Sequence, residues 1–573
     1  MPKGGRTGRG QSSRQPRWSG WLPLAAAVLA FGAYFNALDN PFVYDDHDTV
    51  IGNRSLTDLS NVRFILVYTP FRPLVNASYA FDRWLWGYRP LGYHLTNVLL
   101  HVVVVVLLYV WLRRVIEDSE TDVESSGPAF VGAACFAVHP LQTEAVGYVS
   151  GRSEVLCAVF FVSSLLLSRR AILSGSWISA VLGIACGIVA LASKETALAL
   201  PAVFLAYDWL LRPGADEVRS RRFWQVGVPA VVVFAVAGLY RLSMLKMSFA
   251  GLSSAVLNAE TQAIVIWRYV KLLVWPFGQS IMHSVHRVTS VFDPLTATAV
   301  TGIALAIALA LWIRRSHPVV AFGIVWFLAV LAPSSSFVPL REGMAEHRVY
   351  LASAGFFTAV VGILQVWWGR WSLRSFAPRA TIAVAIAVLC LLTVRRNQVW
   401  SDPVTLWTEA TVHAEGMWEP HYALADSFRE QGLCDRAISE YRQAVALRPA
   451  HRDAHTNLGI CLAQLGQPED AERAFRQALA IDPRFARGYT NLGALALLSG
   501  DAERARDFYL QTLVVDHDNV LARMQLASLY ENTFRDYHAA ARMCGEARLL
   551  APATPGVVEC VERNQRLAAG QGR

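Results

Sequence analysis

The sequence predicts an all-α chain in two parts, a polytopic membrane domain of about eleven spanning helices followed by an α-solenoid. Three observations carry that expectation. Of 573 residues, 54% are hydrophobic and 17% charged, and mean hydropathy is +0.33. An ordinary soluble chain is about 25% charged, so much of this one faces lipid and a wholly soluble enzyme is excluded. The net charge of +8 divides at Asn397 into +13 before it and −5 from it onward, so two differently built halves meet there. From Trp418 the chain repeats every 34 residues.

Residues 1–20 hold Lys3, Arg6, Arg9, Arg14 and Arg17 with no acid, which makes them a cytoplasmic basic tail leading into an uncleaved helix. Apolar runs near the length a spanning helix needs follow at 21–38, 92–112, 129–147, 154–168, 176–192, 197–211, 223–243, 295–313, 318–336, 350–368 and 379–396. A twelfth segment, 263–281, has Arg268 and Lys271 near its middle. Each disfavours insertion by ~2.5–3.5 kcal/mol, whereas each apolar residue returns only ~0.3–0.6. An interfacial helix ended by Pro276 fits it better. The membrane domain is thus 21–396, with 39–91 as the first outside loop and the C-terminus outside. The inside loops 113–128, 169–175, 212–222, 314–317 and 369–379 are then about twice as dense in basic residues as the outside ones. Lysine is scarce (Lys3, Lys194, Lys246 and Lys271), a bias of GC-rich bacterial genomes. The expected location is a bacterial inner membrane with a periplasmic C-terminal half. An acidic soluble half and a basic excess among apolar spans argue against nucleic acid as a partner.

After a connector or half repeat at 397–417, about four repeats fill 418–565. Leu424, Leu458, Leu492 and Leu526 recur at one position, Ala437, Ala471, Ala505 and Ala539 at a second, and Tyr441, Phe475 and Tyr509 at a third; Pro449 and Pro483 close the first two units. They resemble the tetratricopeptide (TPR) signature. His517 replaces the proline in the third unit, and the fourth has one extra residue before Pro552. The concave face of such a solenoid binds peptide segments; the plainer alternative is packing and spacing alone. The eight cysteines show no metal-ligand spacing. Cys434 and Cys461 fall at a repeat junction and are expected as unpaired core thiols rather than a disulfide.

Chemistry is most concentrated in the first outside loop, which opens NPFVYDDHDTVIGN. A carboxylate held at the membrane surface can serve as general base toward a hydroxyl, and adjacent carboxylates raise a pKa or invite a cation. Polar strings end other helices on the same side: FRPL (71–74), GYHLTNVLLH (92–101), HPLQTEAVGYVSGRSE (139–154), SKE (193–195) and AEHRVYLASAGF (345–356). Charge at membrane depth points to function, and Arg72, Arg152 and Arg348 suit a phosphate. The plainer reading pairs Glu144 with Arg152, and Lys194 with Glu195 or others, to neutralise buried charge. The strings NRS at 53 and NAS at 76 match glycosylation acceptors, but such tripeptides arise easily by chance.

In this order, and followed by 34-residue repeats, the strings resemble the transmembrane and TPR repeat-containing O-mannosyltransferase family of the GT-C glycosyltransferase superfamily, over nearly the whole chain from about residue 20. The resemblance implies a GT-C-like membrane domain, a polyprenyl- or dolichyl-phosphate mannose donor as co-substrate, polypeptide acceptors, and a catalytic aspartate in the first outside loop. Asp45 or Asp46, with Asp46 preferred narrowly, would take the proton of a Ser or Thr hydroxyl that attacks the anomeric carbon, inverting it. Arg72, Arg152, Lys194 and Arg348 would hold the phosphate, supported by His139, Glu144, Glu195 and Glu346. No metal ligand is assigned, though room is left for a divalent cation. His347 receives no role, and Ala352 stands where the pattern has proline. Two alternatives are a non-catalytic membrane scaffold gathering partner proteins for envelope assembly, and a GT-C enzyme glycosylating a glycan or lipid.

Overall fold

The computed structural model describes residues 20–119, 124–212, 217–244, 252–285, 288, 293–335, 342–370 and 376–571. Lys3, Arg6, Arg9, Arg14 and Arg17 of the expected tail lie outside them. Every regular element among the described residues is helical. The chain divides into two compact units, 1–406 and 407–573.

In the first unit α1 (Leu22–Tyr34) is followed by two short helices in the 39–91 stretch, α2 (Val62–Tyr68) and α3 (Pro73–Trp86). Then come α4 (Pro90–Asp118), α5 (Ser126–Ala137), the one-turn α6 (Thr143–Val146), α7 (Arg152–Ser174), α8 (Trp177–Leu191), α9 (Leu200–Leu211), α10 (Glu217–Met244), α11 (Leu252–Val274), α12 (Pro294–Ile313), α13 (Pro318–Leu331), α14 (Tyr350–Arg370) and α15 (Phe376–Trp400). Among the described residues six helical segments are long and apolar enough to cross a membrane: Pro90–Asp118, Val149–Ser174, Glu217–Leu239, Pro294–Ile313, Glu346–Trp368 and Ala377–Trp400. The chain is an integral membrane protein. Each of the eleven apolar runs coincides with a helix, but α1, α5, α8, α9 and α13 are shorter than the ~20 residues of a full span. The largest departure is at 129–147, where α5 stops at Ala137. Pro140 restricts the residue before it, and His139 is extended with ψ 127°. Glu144 therefore sits in the one-turn α6, between α5 and α7. The helix from the 263–281 segment ends at Val274, ahead of Pro276, and is not among the six.

Glycines set the closest crossing. A Cβ on Gly323 would lie 2.4 Å from the Ala359 nitrogen, and one on Gly355 2.6 Å from that of Phe327, so α13 and α14 meet backbone to backbone. Beside them Trp111, Tyr207, Phe322 and Trp326 form a buried aromatic cluster.

The connector helix α16 (Pro403–His413) leads into paired helices: α17 (Trp418–Glu430) with α18 (Cys434–Leu447), α19 (Arg452–Gln464) with α20 (Pro468–Ile481), α21 (Ala486–Leu498) with α22 (Ala502–Val515), α23 (Val520–Leu529) with α24 (Tyr537–Leu550), and a closing α25 (Pro555–Gln571). The signature has a packing reason. A Cβ on Gly459 would meet the Phe475 ring at 2.6 Å, and one on Gly493 the Tyr509 ring at 2.7 Å, so each aromatic lies flush on the first helix of its pair. Gly432, Gly466 and Gly500 turn the chain between helices at φ 76°, 72° and 79°. In the fourth pair a π-helical turn, Tyr530–Phe534, takes up the extra residue and moves the left-handed position to Arg535 at φ 56°. The alanine equivalent to Ala437 is consequently Ala540, not Ala539 as the strict spacing suggested, although both are buried.

The cysteines correct another expectation. Cys434 and Cys461 form a disulfide with Cα atoms 5.1 Å apart, as do Cys544 and Cys560 at 5.7 Å. Cys135, Cys157, Cys186 and Cys390 in the membrane unit are free thiols.

Candidate functional site

The stretch Ser150–Glu154, where α7 begins, ties the polar strings together. Asp46 is fully buried: the Ser150 N–H and hydroxyl donate to its Oδ1 at 2.8 and 2.7 Å, and the Val43 N–H to its Oδ2 at 3.2 Å. Burial outweighs these bonds and pushes its carboxyl up to about 7. Asp45 is exposed, and its N–H donates to the Tyr148 hydroxyl at 3.0 Å, whose ring stacks on Trp400. Tyr44, just before it, has φ 50°, a left-handed conformation that a bulky residue adopts only under restraint. The restraint includes its hydroxyl, which donates to Glu342 at 3.1 Å. This turn turns Asp45 outward and Asp46 inward, so the narrow preference for Asp46 meets a carboxylate with both oxygens already engaged.

The ion pairs form, but with other partners than the sequence suggested. Arg152 is buried against Asp82 at 2.6 Å, not Glu144, and donates to Asn97, Ser78 and the Tyr93 carbonyl. It is 0% exposed, which places it inside the fold rather than on a ligand surface. Lys194 pairs with Glu154 at 2.9 Å, not with Glu195. Glu195 instead receives Arg72 at 3.3 Å, and Arg72 is the most exposed of the four expected phosphate-binding cations, its side chain 41% accessible. Asp82 gave no local signal: it is one acid in the aromatic string YAFDRWLW. The asparagines of the NRS and NAS strings are buried and bonded together, Asn53 donating to Asn76 at 2.8 Å.

A second cluster gathers around the segment 342–349. Glu144 lies 2.6 Å from His347 Nδ1 and accepts the Glu346 N–H at 2.9 Å. Burial, with the charges of Glu346 and Glu342, pushes the Glu144 carboxyl up. Glu346 accepts from the Ser280 N–H at 2.7 Å and Gln279 at 3.2 Å, and lies 2.8 Å from His283 Nε2. Arg348 donates to the Glu342 carbonyl at 2.9 Å. Tyr44, Glu342 and Arg348 thus join this cluster to the Asp45 turn. His139 stands apart, between the Leu273 carbonyl at 3.1 Å and the Leu141 N–H, and braces the chain after α5. His283 and Glu342 were not anticipated, since both lie in irregular stretches whose partners only the fold reveals. Among the described residues no group of three or more His, Cys, Asp or Glu side chains is arranged to hold a metal.

The tetratricopeptide repeat family model matches residues 422–484 and 463–518. The chain is similar to Protein O-mannosyl-transferase TMTC1 of Homo sapiens, 26% identical over 541 residues, covering 80% of this chain and 59% of that protein. The Mus musculus protein of the same name is 24% identical over 79% of this chain and 61% of its own length. Protein O-mannosyl-transferase F38B6.6 of Caenorhabditis elegans is 22% identical over 75% of this chain and 63% of its own length. The chain therefore spans about six tenths of the curated relatives it matches.

Proposed function

We propose that this protein transfers mannose from a polyprenyl-phosphate donor to Ser or Thr hydroxyls of polypeptides on the periplasmic face of a bacterial inner membrane. The observation that carries the proposal is the Tyr44 turn, which offers an exposed Asp45 carboxylate beside a cluster containing Arg348. Similarity to relatives named protein O-mannosyl-transferases supports the chemistry. Asp45 is the base: it takes the acceptor proton while the oxygen attacks the anomeric carbon and the lipid phosphate leaves from the opposite side, inverting the centre. Arg72, Lys194 and Arg348 are the cations for the departing phosphate, whereas buried Arg152 and Asp46 hold the framework. The two disulfides of the repeat unit support an oxidising compartment for it, and its repeats suit a polypeptide partner.

The test is sugar transfer by purified full-length protein from labelled polyprenyl-phosphate mannose to secreted-protein acceptors. Asp45→Asn is expected to lose about 100-fold or more in kcat while remaining folded, and Asp46→Asn to lose far less. If wild type transfers no lipid-linked sugar but holds partner proteins stably, the chain is a scaffold and the proposal fails.

A further inference from the structure

His347 has a position that the reaction above does not use. Its Nδ1 is fixed 2.6 Å from Glu144, whose other oxygen takes the backbone N–H of the preceding residue, Glu346. Two bonds from one carboxylate thus set both the segment and the heading of the ring. Among the described residues Nε2 has no hydrogen-bond partner, and the side chain keeps 17% of its surface accessible. The charges acting on the ring come from Lys194, Glu154, Arg348 and Glu342. Each cation there is already matched by a carboxylate, Lys194 by Glu154 and Arg348 by Glu342. What the ring adds is an oriented donor with no carboxylate of its own on that side.

We propose that His347 is a phosphate-binding residue, presenting Nε2–H to a phosphoryl oxygen of the lipid donor beside Arg348 and Lys194. The inference rests on the mannosyl-transfer reading and adds to it a ligand-facing residue. A Glu144 carboxyl pushed up by burial fits this arrangement, since a protonated Glu144 donates to Nδ1 and leaves the proton of a neutral imidazole on Nε2. A neutral donor grips an oxyanion without holding the leaving phosphate as firmly as a further cation would.

Two substitutions separate the two sides of the ring. His347→Asn keeps a polar group where Nδ1 meets Glu144 and removes Nε2; His347→Gln keeps a donor near Nε2 and gives up the Glu144 contact. Binding of polyprenyl phosphate to the full-length protein, read by intrinsic tryptophan fluorescence, is measured beside mannose transfer for wild type and both variants. Loss of one hydrogen bond to a charged group predicts ~10- to 100-fold weaker binding, and a matching rise in the donor KM, for His347→Asn. His347→Gln is expected to stay within a few-fold of wild type. The opposite order, equal losses, or no loss in either variant overturns the inference and leaves His347 a brace for the segment. Wild type is the separate control: if it binds and transfers while the variants fail the expected order, only the inference falls. If wild type neither binds polyprenyl phosphate nor transfers mannose, the mannosyl-transfer reading falls and takes the inference with it.

Discussion

The two units use charge in opposite ways. In the membrane unit Arg152 meets Asp82 with both side chains 0% exposed, and Lys194 meets Glu154 at 4% and 0%, each pair joining segments distant in sequence. In the repeat unit Arg473 pairs with Asp470 at 74% and 38% exposure and Arg476 with Glu472 at 59% and 29%, each within one turn of a single helix. The same ions do different work. A buried pair has lost its hydration, so removing one member leaves a charge with nowhere to go. A surface pair trades one partner for water at little loss. In the first unit fully buried charge helps fix which segments lie together; in the second, small residues and aromatics do so beside part-exposed pairs such as Arg563 with Glu531.

The largest effect on stability is expected from Arg152→Met, which leaves Asp82 without a cation in the interior: about 3–5 kcal/mol, seen as a lower thermal midpoint in detergent. Arg152→Met combined with Asp82→Leu should recover part of that loss, and failure to recover would mean the pair matters for more than its charge. In the repeat unit the most costly single change should be covalent. Cys560→Ser is expected to remove about 2–4 kcal/mol, read by urea unfolding of the full-length protein. Asp46 supplies a pH signature of its own, a carboxyl raised by burial. Its carboxyl titrates near its ordinary 3.8 when unfolded and near 7 when folded. The folded state therefore holds a proton that the unfolded state has released, and this group's contribution is full below about pH 4 and lost as pH rises through about 7. Asp46→Asn should flatten that part of the thermal midpoint against pH; an unchanged slope would mean the carboxyl is not buried as described. The smallest effect is expected from Arg476→Ala, within about 0.5 kcal/mol of wild type.

Periodicity made the fold legible in the sequence, and its limits follow from the same source. The 34-residue spacing located the solenoid, and the apolar runs located the helices. A run of apolar residues does not show where a helix breaks, so α5 ending ahead of Pro140 and the π-turn at Tyr530–Phe534 were visible only in the fold. At the site, the strings around Asp45, Ser150, Lys194 and Glu346 were the right places to look. Their pairings were not legible, because Asp82, rather than the nearer Glu144, reaches Arg152 only through the packing of α3 on α7. The Cys434–Cys461 bond ranked below unpaired thiols because residues 27 apart in a repeat of 34 meet only once two helix pairs stack, and the sequence offers no signal for Cys544–Cys560.

The disulfides also change how the solenoid can come undone. A stack whose units touch only their neighbours normally frays from its ends, where each terminal unit has one partner instead of two. Here Cys434–Cys461 bolts the first pair of helices to the second, and Cys544–Cys560 bolts the last pair to the closing helix. The ends are fastened and the middle, from α20 to α23, is not. Once oxidised, the stack from α20 to α23 is held by packing alone, such as that of Gly493 beneath Tyr509.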